Sequence, residues 1–194
     1  TSATNDQNNY LNAGDVASVT STFSENVTVT GTPQLTLVVG STDRTATYNS
    51  GSGGTTLVFK YTIQAVETDS DGISIGANVL ALNSGTIQDP AGHNATLTHS
   101  SVSANTSYKV DTTLPNLSSV AITSATGIQN NLLNNGDVVS VTANFSESVI
   151  VDSASGTPTL TFVVGSTDQT TTYTSGSGGT ALVFKYTIQA GYND

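Results

Sequence analysis

The sequence predicts an all-β chain of two tandem antiparallel sandwich domains. Three observations predict it. Apolar and polar residues alternate along short runs. Gly, Asn, Asp and Ser clusters separate those runs at turn-like spacing. Most of the chain is also written twice. Alternation at period two marks half-buried strands, and no stretch holds a convincing 3.6-residue pattern. The composition agrees: 36% apolar and 9% charged is too apolar and too weakly charged for a disordered chain.

The repeat runs on two offsets. Gly14-Asp15 recurs 122 residues later as Gly136-Asp137, and TFSENV at 22–27 recurs as NFSESV at 144–149. Three inserted residues then move the offset to 125, so Gly31-Thr32-Pro33 recurs as Gly156-Thr157-Pro158 and Asp69 as Asp194. The longest shared phrase is NSGSGGTTLVFKYTIQA at 49–65 and TSGSGGTALVFKYTIQA at 174–190. Such a period is too long for a solenoid coil and suits a domain in an array. The expected domains are 1–110 and 111–194, with DTTLP at 111–115 as linker. Pro115 stiffens that linker and holds Leu114 extended.

Each strand has its own warrant. The first is seen in the second copy, in NLSSVAI around 117–122. The first copy lacks a counterpart before Thr1, and the second lacks strands after Asp194. Either a neighbouring chain supplies the missing strand, as in strand-complemented fibres, or the chain is a piece of something longer. Strand two, 16–23, alternates Ala17, Val19 and Phe23. Strand three, 34–39, alternates Leu35, Leu37 and Val39, and strand four covers 44–49. Strand five, 55–64, puts Leu57, Phe59, Tyr61 and Ile63 on one face and Val58, Lys60 and Thr62 on the other. Strand six, 73–82, alternates Ile73, Ile75, Ala77 and Val79, and strand seven is a broken run over 95–110. The shared phrase is then a turn feeding a core strand, needed once per domain.

A net charge of -10, with Arg44, Lys60, Lys109 and Lys185 as the positive groups, repels phosphate backbones and anionic lipid. Nucleic acid is therefore not an expected partner, and no apolar run is long enough for membrane insertion. With no Cys there is no disulfide framework and no thiolate metal site. Catalysis is not expected either. His93 and His99 are the two histidines, placed in a DPAGHN turn and a Thr/Ser-rich strand, where surface positions suit both. No nucleophile elbow or zinc-protease motif accompanies them.

The carboxylates say more. ETDSDG places Glu67, Asp69 and Asp71 at alternate positions before Gly72, and Asp89, Glu25 and Glu147 sit in other turns. Calcium is a hard cation taking six to eight oxygens, which acidic Gly-containing turns supply. The competing reading is that such Asp residues cap their own backbone. An up-and-down strand order sends Asp69, Asp71 and linker Asp111 to the end where the first domain's chain leaves. Glu147 then lies at the opening end of the second, facing them, and calcium is the expected structural cofactor.

VDTTLP, ITSATGIQNNLLNNGDVVSVTANFSESV, GTPTLTFVVG, TDSDGISI and QDPAGHNATL together resemble the tandem immunoglobulin-like repeats of giant bacterial surface proteins. These include adhesin extender repeats and cyanobacterial swimming-motility repeats. The resemblance covers essentially the whole chain. It implies a sandwich module in an extracellular, cell-surface array, often with calcium at domain junctions, and does not imply catalysis. The function it implies is a spacer or filament-forming repeat. Its partners are neighbouring repeats of the same protein and lateral or end-to-end copies in a filament. The alternative is a glycan- or surface-binding module, for which Tyr10 and Tyr192 are the candidate aromatics.

Overall fold

β-Branched and aromatic side chains pack well on a pleated surface, and here they form strands throughout. A computed structural model describes residues 1–191 and contains no helix among them. Tyr192 and Asp194 therefore lie outside the described residues. The chain divides into two compact units, Thr1–Thr113 and Leu114–Asp194.

The first unit holds β1 (Ser2–Thr4), β2 (Tyr10–Leu11), β3 (Val16–Thr30), β4 (Gln34–Val39), β5 (Thr42–Ser50), β6 (Gly54–Thr62), β7 (Thr68–Asp69), β8 (Leu80–Ala81), β9 (Thr86–Gln88) and β10 (Lys109–Asp111). The large sheet runs β1-β3-β6-β5-β4-β8, with β9 on the far half of β3. A small sheet, β2-β10-β7, supplies Leu11 and Val110 to the same core as Val19, Leu37 and Phe59. The unit is thus a β-sandwich. Its pairings are antiparallel except β2 with β10, which run parallel.

Alternation set the buried faces. Leu57, Phe59 and Ile63 are 0 to 1% exposed, while Lys60 on the opposite face is exposed. β4 occupies the predicted 34–39, and Leu35, Leu37 and Val39 are buried there.

Three expectations change. The 73–82 run is not one strand: it makes single bridges at Ser74 and Ile75, then the two-residue β8. Asn78 at φ 57° turns the chain in between and leaves Ala77 exposed. The 95–110 run likewise reduces to a bridge at Val102 and to β10. Last, the first strand is not wholly missing from the first copy. β1 pairs Ser2, Ala3 and Thr4 with Ser18, Ala17 and Val16. This is the register by which Ser124, Ala125 and Thr126 meet Ser140, Val139 and Val138 in the second copy.

The second unit is one antiparallel sheet, β11-β12-β15-β14-β13. Its strands are β11 (Leu117–Thr126), β12 (Val138–Val149), β13 (Thr159–Val164), β14 (Thr167–Ser175) and β15 (Gly179–Thr187). No second sheet covers it among the described residues, and Leu117, Ile122 and Val163 are 57%, 69% and 59% exposed.

Candidate functional site

The repeated phrase is a bolted hairpin, built from the same bonds in both units. Gly51 and Gly176 sit at φ 112° and 110°, where a Cβ would lie 2.0 Å from the carbonyl oxygen of Thr56 or Ala181. Glycine is required there by conformation and by space. The Ser52 amide donates to the Tyr48 hydroxyl at 3.0 Å, and the Ser177 amide to Tyr173 at 2.8 Å. Each serine hydroxyl in turn accepts the amide of Val29 or Val151, both at 2.9 Å. Gly53 and Gly178 donate to the Val27 and Val149 carbonyls at 2.8 Å. Tyr48 meets Phe59 edge-on at 6.1 Å, and Tyr173 meets Phe184 at the same distance. At the strand's other end Ile63 donates to Asp15 and Ile188 to Asp137. The phrase holds no reactive group; it fastens a core strand to β3 or β12.

The acidic candidates separate into groups. In the first unit Glu67, Asp69 and Asp111 lie around the β7–β10 pairing, where Asp69 faces Val110 and Asp111 faces Thr68. Glu67 is buried and fully engaged. Its Oε1 accepts from Arg44 Nε and, at 2.5 Å, from the Tyr61 hydroxyl, and its Oε2 accepts the Gln64 amide at 2.8 Å. Asp69 is 3% exposed, and its two oxygens accept the Gly40 and Gly72 amides, each at 2.7 Å. Asp111 belongs to β10 rather than to a free linker, and its Oδ1 accepts the Thr113 amide at 3.0 Å. Asp71 is exposed.

Partial burial, followed by the Glu67 carboxylate, pushes the Tyr61 phenol up to about 12. Sequence reasoning passed over Arg44, Tyr61 and Gly40. The available signal for Arg44 was its rarity, as one of four positive residues.

Asp89 lies apart, in the turn after β9, and Glu25 is exposed in the irregular stretch of β3. Asp89 accepts both the amide and the ring Nδ1 of His93, each at 2.8 Å. That side-chain bond lowers the Asp89 pKa and raises that of His93. His99 is half-buried rather than on the surface: its Nε2 accepts the Val79 amide at 3.0 Å, so Nδ1 carries the proton toward Ser100 O. Glu147, in the second unit, has a buried Oε1 with no hydrogen-bond partner among the described residues. The exposed Tyr10 ring carries Lys109 Nζ at 5.4 Å from its centre.

A calcium cage needs several converging oxygens. Among the described residues no three His, Asp or Glu side chains gather into a group able to hold a metal. Within the first unit the Glu67 and Asp69 carboxylates act as internal acceptors.

Compared with protein-family models, curated proteins and solved structures, the chain matches none.

Proposed function

We propose that the chain is a structural repeat, a spacer or filament-forming module of an extended bacterial cell-surface protein, with immunoglobulin-like units in series. One observation supports this above others: the two copies share their hairpin bonds, aromatic contact and the register of the repeated strand, residue for residue. The duplicated part is a load-resisting strand attachment, not a pocket or a set of reactive groups. Ladder bonds between β3 and β6 and a buried apolar face give such a module stiffness. No step of this reading runs through calcium.

Small-angle scattering on the chain tests it. A single compact body of this length has a radius of gyration of about 16 Å. Units in series give a clearly larger value, with an elongated distance distribution. A radius near that of one compact body would overturn the serial arrangement.

A further inference from the structure

The chain leaves the first unit through β10, and the ladder that holds β10 is short. Lys109 and Val110 pair with Tyr10 and Leu11 of β2, and Val110 and Asp111 pair with Asp69 and Thr68 of β7. Ladders of this length belong to the parts of a fold that open locally.

A polar connection runs from the end of β10 to the large sheet. The Thr112 hydroxyl donates to the Glu67 carbonyl oxygen at 3.0 Å. The carboxylate of the same residue is buried and accepts from Arg44 of β5 and from Tyr61 of β6. Its second oxygen takes the Gln64 amide at 2.8 Å and closes the turn 64–67 on itself.

That turn is strained. Val66 sits at φ 64° and is 95% exposed, so no burial offsets the left-handed backbone of a β-branched residue. Such a conformation persists where the surrounding contacts over-determine it. Through the repeat, Arg44, Val66 and Glu67 become Gln169, Gly191 and Tyr192. The valine, the arginine and the carboxylate are thus exchanged together. Where the sequence lacks the charge pair, glycine takes the positive φ, at 92°.

We propose that Glu67 is a latch on the exit strand. Its carboxylate anchors the strained turn on β5 and β6 while its carbonyl holds Thr112, so β7 and β10 stay closed until the latch is released. The inference rests on the repeat reading for its use, since tension along units in series enters the first unit at its exit strand. The latch itself is read from bonds inside the unit, so its test and the scattering test fail separately.

The test is amide hydrogen exchange of the chain, followed residue by residue by NMR, in Arg44→Gln and Thr112→Val. The first variant carries the residue of the second copy, and neither position belongs to the apolar core. In both, the ladder amides of β7 and β10 should exchange faster, by at least about tenfold beyond any change along β6. The double variant should add little to the stronger single one, because either change opens the same latch. Unchanged exchange in β7 and β10 overturns the proposal. So does an equal acceleration along β6, which would mark a plain loss of stability, and so do effects that multiply in the double variant.

Discussion

The Tyr48 hydroxyl accepts a hydrogen bond from the Ser52 backbone amide, 3.0 Å away, and so ties the ring that packs on Phe59 to the turn feeding β6. Core and turn are thereby one fastening. Tyr48→Phe removes the acceptor while keeping the ring. The loss should be about 0.5–1.5 kcal/mol, the usual net worth of such a bond. Chemical denaturation measures it; no change at all would mean the hydroxyl is interchangeable with water.

Phe59 is fully buried at the centre of the first unit's core. Phe59→Ala should cost about 3–5 kcal/mol through lost transfer and a residual cavity. A loss under about 1 kcal/mol would place Phe59 at the surface and invert the strand register.

Tyr61 should ionise late. Its pKa is pushed up to about 12, above the ordinary 10.0, by partial burial and by Glu67. The neutral phenol is the form the fold favours, so this contribution is complete below about pH 10 and is lost as pH rises through about 12. A tyrosinate absorbance titration should show a late component that Tyr61→Phe removes. A titration without that component would contradict the contact. Arg44→Gln should lower the melting temperature, since Glu67 loses a charged donor while buried. In the second copy Gln169 stands at the Arg44 position and accepts from the Tyr186 hydroxyl at 3.0 Å.

Calcium followed by chelator should give superimposable melting curves. Glu67 and Asp69 already accept internal hydrogen bonds, and no cage gathers among the described residues. A calcium-dependent rise that Asp111→Asn removes would instead establish a cation at the carboxylates the sequence nominated.

Alternation made the central strands legible, because Leu35, Leu37, Leu57 and Phe59 face one core and leave Lys60 outside. It failed over 73–82, where apolar residues alternate but Asn78 takes a left-handed turn. Local pattern cannot see that Ile73 and Ile75 bond to 108 and 102 rather than to a long neighbouring strand. The acidic turn was legible as acidic but not as structural. The donors to Glu67 and Asp69 include Arg44 and Gly40, 23 and 29 residues away, which spacing alone does not join.

Pulling a single chain by its two ends tests the mechanical role most directly. A load-bearing module should hold until a discrete rupture and then release the 113 residues of the first unit, on the order of 400 Å of extended chain. A featureless extension at low force, with no rupture of that length, would contradict the role of a stiff spacer.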